Sequence, residues 1–258
     1  MPAELFIAIT SALSSFLSGL LGIGGGLVLA PALLYLPPVF GAAALPVKLI
    51  TGLTIVQAIG GGAMGTLRHR RYGNVSMRLV RIMGPVGGVA SFAGALVSRD
   101  APDHVLLFIF ALFALAGAVA LLLPVESQSG AVDDLHVNVP LAMGIAAVLG
   151  FFGGMVGIGA IAFIISALVF LLRIPARVAI GTSLAIGLLL ALAGAAGKAA
   201  TAQIDPLSGA IVLACAAVAS PVGAAVGQRS HPRALMLLLA VLVGATAVRM
   251  LWQAATGI

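Results

Sequence analysis

Charge and cysteine are the scarce features of this sequence. Only 8% of its 258 residues are charged, whereas about 25% would be charged in a soluble domain. None of the seven acidic residues lies deep in an apolar run, where proton and cation carriers generally place carboxylates. The single cysteine, Cys215, lies inside an apolar run, which excludes an intrachain disulfide and a CxxC redox carrier.

The usual sequence motifs of catalysis and cofactor binding are also missing. The chain has no HExxH motif, and its His and Cys residues do not cluster at metal-ligand spacing. The stretch "GAAGKAA" around Lys198 is too short for a phosphate loop and has Ala199 where such a loop needs Ser or Thr. The stretch "GIGGGL" fails the dinucleotide fingerprint at its last position and follows no strand. We therefore expect no enzymatic activity, no metal site and no cofactor.

Apolar residues, by contrast, make up 62% of the chain, and the mean hydropathy is +1.23. Uncharged runs long enough to span a bilayer recur from end to end, and they show no strand-period alternation. The sequence predicts an all-α, polytopic transmembrane bundle that forms a single membrane domain over residues 1–258. The hydrophobic blocks are Leu5–Leu36, Leu45–Leu67, Val75–Val97, Val105–Leu123, Val139–Leu172, Val178–Ala200, Ser208–Val226 and Ala234–Trp252.

The two halves of the chain repeat the same landmarks in the same order. Gly22-Ile23-Gly24 corresponds to Gly157-Ile158-Gly159, Thr51 to Thr182, and Pro85 to Pro221. We interpret residues 5–124 as repeat one, residues 139–252 as repeat two, and residues 125–138 as a polar linker.

The first block of each half is interrupted by glycine and has an awkward length. Leu5–Leu36 would form a helix of about 48 Å, too long for one upright crossing of a core about 30 Å thick and too short for two. A break at the glycines would give a helical hairpin and make the halves inverted repeats, while one long, tilted crossing stays as an alternative.

Charge counting favours the hairpins. The segment "RHRRYGNVSMRLVR" carries five arginines and is typical of a cytoplasmic loop rather than of a nucleic-acid contact. With two hairpins, the Lys and Arg residues divide about nine inside against four outside, whereas eight single crossings divide them about seven to six.

A helix that restarts after a glycine break presents unpaired N–H groups and a positive dipole end. Restarts near Gly24, Gly25 and Gly26, and near Gly159 and Ala160, would form an anion site at mid-depth without a buried cation if they faced one another. The alternative role for these glycines is close helix packing.

Hydroxyl and amide groups follow in the next helices. Thr51, Thr182 and Ser183 could donate to an oxyanion there, as could Thr54 and Gln57, or their side chains could bond to the preceding turn. The two lysines, Lys48 and Lys198, adjoin apolar blocks, and we expect their side chains to reach the membrane interface.

At these residues the chain resembles the TauE/SafE family, the sulfite exporter or toluene-sulfonate-uptake permease group. The resemblance rests on "GLLGIGGGLVLAPALL", "GGMVGIGAIAFIISAL", "AIGTSLAIG" and "AQID", and it covers nearly the whole chain. It implies a duplicated bundle in the cytoplasmic (inner) membrane of a prokaryote, moving small anions such as sulfite or sulfonates. Two departures are Ala160-Ile161 in place of Gly25-Gly26, and "TGLT" in place of the more family-like "GTSL".

Together these features predict a secondary membrane transporter that exports a small anion. An anion needs no intramembrane carboxylate to leave, because the inside-negative potential favours its exit. The expected partners are the anionic solute and the lipid bilayer, not nucleic acid, and the sequence leaves a homo-oligomer open. The alternatives are a cation or metal permease and a non-transporting assembly or sensor subunit.

Overall fold

The computed structural model describes residues 3–21, 25–41, 44–122, 138–227 and 233–256, nearly all of them helical. This confirms the all-α membrane bundle, since five described helices are long and apolar enough to cross a membrane. The short α-helix Ile161–Ser166 continues directly into a π-helix, Ala167–Leu171. The helices are α1 (Ala3–Leu21), α2 (Gly26–Val39), α3 (Val47–Arg71), α4 (Met77–Val97), α5 (Asp103–Leu122), α6 (Val139–Val156), α7 (Ile161–Ser166), α8 (Ala176–Ala200), α9 (Pro206–Gly227) and α10 (Arg233–Thr256).

Both glycine-interrupted blocks are broken where the sequence predicts. The first breaks between α1 and α2, although Gly22 and Gly24 lie outside the described residues. The second breaks between α6 and α7, where φ is +76° at Gly157, +68° at Gly159 and +52° at Ala160. Glycine adopts this left-handed region readily, whereas alanine does so at a cost of about 1–2 kcal/mol. The second break is therefore a sharp turn of defined backbone conformation.

The first break turns the chain back on itself. The rings of Phe6, near the start of α1, and Phe40, just after α2, lie 6.2 Å apart between centroids. An uninterrupted helix would separate these residues by about 50 Å. The segments α1 and α2 therefore form a hairpin with its two ends together, and the single tilted crossing is wrong for this block.

The second break also forms a hairpin, as neighbouring positions on α8 show. Met155, at the end of α6, accepts a hydrogen bond from Lys198, near the end of α8, so these two ends lie together. Ile161, at the start of α7, contacts Gly187, and the chain then returns to the beginning of α8 at Ala176. Hence α6 runs in the direction of α8 and α7 runs against it.

Corresponding helices of the two halves run in opposite directions. Thr51 contacts Lys198 while Gly65 contacts Leu184, so α3 and α8 are antiparallel. Leu107 and Met250 line one cavity, and Gly244 lies near Ala118, so α5 and α10 are antiparallel too. These directions are those an inverted arrangement requires, and the repeat itself stays a prediction.

The helix directions also set the position of the charged loops. Gly181, near the start of α8, packs closely against the Asn74 carbonyl in the α3–α4 loop. Arg173 and Arg177 therefore lie at the same end of the bundle as the arginines of residues 68–81. Lys48 donates to the Arg99 carbonyl at the opposite end, at 2.5 Å. We call the arginine-rich end inner and the Lys48 end outer, following the positive-inside rule.

Glycines bring two helix pairs into backbone contact. On α9, Gly223 packs against the Phe16 carbonyl of α1, and on α6, Gly154 packs against the Ser91 carbonyl of α4. A Cβ at either position would overlap the neighbouring backbone, so close packing accounts for these glycines. These contacts hold the first helix of each hairpin, α1 or α6, against a helix of the other half.

Candidate functional site

The two hairpins reach each other near mid-depth. We call Gly25 and Gly26 the first tip and residues 157–160 the second tip. A Cβ on Gly26 would lie only 3.2 Å from the Cα of Ile158, so the tips are in backbone contact. A Cβ on Gly159 would lie 2.7 Å from the Cβ of Ala58, about halfway along α3. The predicted meeting of the two glycine segments is therefore present in the structure.

The second tip has a run of backbone N–H groups at the point where the helix resumes. The helix resumes with Phe163 and Ile164 donating to the Ala160 carbonyl at 3.1 and 2.9 Å. The N–H groups of residues 159–162 find no acceptor among the described residues. Gly159 and Ala160 are fully enclosed by protein. Consecutive free N–H groups at a left-handed turn and a helix start attract negative charge.

The first tip is surrounded by side-chain polar groups instead. In the amide orientation that satisfies both its ends, Gln57 donates to the Gly25 carbonyl at 3.0 Å. Its Oε1 then accepts from the hydroxyls of Ser14 and Ser15 on α1, at 2.6 and 2.9 Å. Gly25 itself caps α2, because Val28 and Leu29 donate to its carbonyl. Gly24 lies outside the described residues.

The hydroxyl residues proposed for the site divide between the two ends of the bundle. Thr51 lies beside the second tip, because Gly157 packs against its carbonyl. Thr182 lies more than four turns along α8 from Lys198, about 24 Å away, and accepts from the Ser76 N–H. Ser183 donates to the Ile180 carbonyl of its own helix at 2.8 Å. The structure therefore brings Thr51, but not Thr182 or Ser183, to the tips.

Lys198 occupies an unexpected place. Its side chain is fully buried rather than extended to the interface, so the expectation that it reaches the interface is wrong. The ammonium has four oxygen acceptors within 3.0 Å on four different segments of the chain. They are Thr51 Oγ1 at 2.9 Å, and Ser98 Oγ, the Met155 carbonyl and Gln203 Oε1 at 3.0 Å each.

Further hydrogen bonds extend this cluster. Ser98 donates to the Ala95 carbonyl at 2.7 Å, and Gln203 donates to the same carbonyl at 3.2 Å. Thr51 also lines a small, otherwise apolar cavity between α2, α3, α5 and α10. The mid-depth region thus has a buried lysine beside it, whereas the sequence suggested an anion site without a buried cationic side chain.

Sequence reasoning missed Lys198, Ser98 and Gln203 as one cluster. The available signal was a lysine within a long apolar run, followed five residues later by a glutamine in "AQID". That pattern does not show which face of α8 points inwards, so it could not separate a buried lysine from an interfacial one.

Comparisons with known proteins agree with the resemblance. A family model described as "Sulfite exporter TauE/SafE" matches residues 7–250. A "Probable membrane transporter protein" of Haemophilus influenzae is 31% identical, over 74% of this chain and 71% of its own length. "Probable membrane transporter protein YunE" of Bacillus subtilis is 22% identical, over 92% of this chain and 93% of its own length. No solved structure matches the chain.

Proposed function

Because this chain belongs to the sulfite exporter TauE/SafE family of membrane transporters, we propose that it exports a small anion, sulfite or a sulfonate, through the contact between its hairpin tips. Membership of this family places the protein in the membrane and implies that it transports a small solute. The choice of anion, the outward direction and the tip pathway are our proposal. So is the view that the protein transports its solute without transforming it.

The contact of Gly26 with Ile158 at mid-depth carries this proposal. Hairpins that enter from opposite ends and stop against each other leave a short barrier between the two sides. The N–H groups of residues 159–162, for which the described part of the chain supplies no acceptor, lie at a mostly buried turn, where such donors attract an anion more strongly than in water. We include Gly24, Gly25, Gly26, Gly159 and Ala160 among the groups that contact the solute, with Thr51 beside them.

Thr182 and Ser183 have a different place in the proposal. They lie towards the inner end, so an anion leaving the cell would meet them before it reaches the tips. We therefore assign them to the inner approach to the site rather than to the tips themselves.

The test is anion flux in proteoliposomes. Vesicles containing the purified protein are loaded with sulfite or a sulfonate, and an inside-negative potential is imposed. We expect the potential to accelerate export from vesicles with wild-type protein over protein-free vesicles, because it favours anion exit by about 2.3 kcal/mol per charge per 100 mV.

Gly25→Leu provides the matched structural test. It fills the first tip, and we expect it to abolish flux while the protein still inserts. Gly144→Leu is the control, since a side chain there has open space. Wild-type vesicles that release no anion would contradict the proposed function, whereas full flux in Gly25→Leu would contradict only the tip pathway.

A further inference from the structure

When Lys198 is protonated, the cluster around it holds a positive charge with only neutral partners. The side chain is 0% exposed, and its four acceptors are two hydroxyls, one amide oxygen and one backbone carbonyl. A buried charge is costly unless an opposite charge or a full set of hydrogen bonds compensates it. The dipoles of neutral groups offset part of this cost and leave the net charge in place.

The cluster has more acceptors than the lysine has protons. An ammonium carries three N–H bonds, and four oxygens lie within 3.0 Å of it. One oxygen can therefore leave without breaking the set. Thr51, Ser98 and Gln203 also carry donors of their own, which can turn from their present partners towards an incoming anion. A cation surrounded by hydroxyl and amide donors suits an oxyanion.

The cluster also lies on the route that the proposed function requires. Thr51 contacts Lys198 with its hydroxyl and Gly157 of the second tip with its carbonyl. Lys198 contacts Met155, two residues before that tip. The cluster is therefore adjacent to the tips on their outer side, where Thr51 also borders the small cavity between α2, α3, α5 and α10.

From this arrangement we propose that Lys198 is the outer anion-binding residue of the transporter, forming an ion pair with the oxyanion after it passes the tips. The proposal rests on the proposed function and deepens it. In the state described here the four neutral oxygens take the place of the anion. The competing structural role is a cap: Lys198 bonds to a carbonyl of the last turn of α6, where a cation stabilises the helix end.

Anion binding to the purified protein separates these two roles. The probe is sulfite, followed by the rise in melting temperature as its concentration increases, with dimethyl sulfone as an uncharged comparison. We expect Lys198→Met to raise the half-saturating sulfite concentration by roughly 10- to 100-fold, because a charge-assisted contact is lost. Lys48→Met is the comparison variant: it removes the other lysine of the chain, whose charge acts on Lys198 only from a distance, and we expect a much smaller loss of binding than in Lys198→Met.

Gln203→Glu keeps the test informative if Lys198→Met does not fold. It adds a carboxylate of the same size beside the ammonium, so Lys198 gains an internal counter-ion. We expect a folded protein whose melting temperature no longer responds to sulfite. Gln253→Glu, a glutamine that accepts a hydrogen bond from Tyr35 at 3.2 Å, is the control and should respond as wild type does.

The possible results distinguish the two levels of the proposal. Sulfite responses in Lys198→Met and Gln203→Glu equal to the wild-type response would reduce Lys198 to a helix cap and leave the proposed function standing. A wild-type protein that neither binds nor transports sulfite or sulfonates would overturn both. Loss of the sulfite response in the two variants, with Gln253→Glu intact and Lys48→Met much less affected, would establish the outer site.

Discussion

The two hairpin tips share a sequence motif but are built differently. At the first tip, Gly25 has an ordinary φ of −60°, and its nearest neighbour is the flexible side chain of Gln57. At the second tip, Gly157 has a left-handed backbone and packs against the carbonyl of Thr51. A side chain can move aside, whereas the backbone of α3 cannot. The first tip is thus the adaptable partner and the second the fixed one.

This difference suggests a division of labour. The fixed tip holds its N–H groups in one orientation, as a preorganised binding site requires. The adaptable tip, surrounded by Gln57 and the serines of α1, can shift by the small distance that a passing solute needs. Equal motifs in the two halves of the chain therefore do not imply equal roles.

The largest predicted effect is at the fixed tip. Gly157→Ala adds a Cβ that overlaps the Thr51 carbonyl and forces alanine to a φ of +76°. Strain and overpacking together should cost about 2–5 kcal/mol of unfolding free energy. Denaturant unfolding in detergent would measure it, with Gly144→Ala as the control that has open space. A variant as stable as wild type would show that the second tip is not fixed.

A smaller effect is expected at the adaptable tip. Gly25→Ala adds a Cβ that meets the Gln57 amide, and we expect a loss of about 1–2 kcal/mol. In a Gln57→Ala background the same change should cost at least about 0.5 kcal/mol less, because the obstructing side chain is gone. A double-mutant cycle on unfolding free energies measures this coupling. Purely additive losses of unfolding free energy would contradict the view that the Gln57 side chain is the neighbour that moves aside.

The smallest effect is expected at Ala160. Ala160→Gly relieves a φ of +52°, worth about 1–2 kcal/mol, but loses a buried methyl group and gains chain entropy at a similar total cost. The unfolding free energy should therefore change by less than about 0.5 kcal/mol. Ala142→Gly, equally buried but within the regular helix α6, should cost about 1–2 kcal/mol. Equal losses in the two variants would indicate that Ala160 is not strained.

Much of the fold could be predicted because it follows from length and backbone chemistry. Leu5–Leu36 does not fit one crossing, and the glycines mark where it turns. The landmark order then placed the second break at Gly157 and Gly159. Uncharged runs gave the remaining helices, although the π-helix Ala167–Leu171 has no signal in the apolar pattern.

The candidate site was harder to predict from the sequence than the fold, for two physical reasons. Thr51 and Thr182 each lie near the start of a helix, and antiparallel helices put their starts at opposite ends, so these two residues could not share one pocket. The burial of Lys198 depends on which face of α8 packs inwards. In a helix that is apolar nearly all round, the sequence gives no such direction.

The position of the second tip bears on how the protein is made. Its resting place is formed by Thr51 and Ala58 of α3, synthesised well before it, and by Gly187 and Ala191 of α8, which leave the ribosome only afterwards. At a synthesis rate of roughly 5–20 residues per second, α8 becomes available to the turn only seconds after the turn itself has been made. We therefore expect this turn to dock late, only once α8 has entered the membrane.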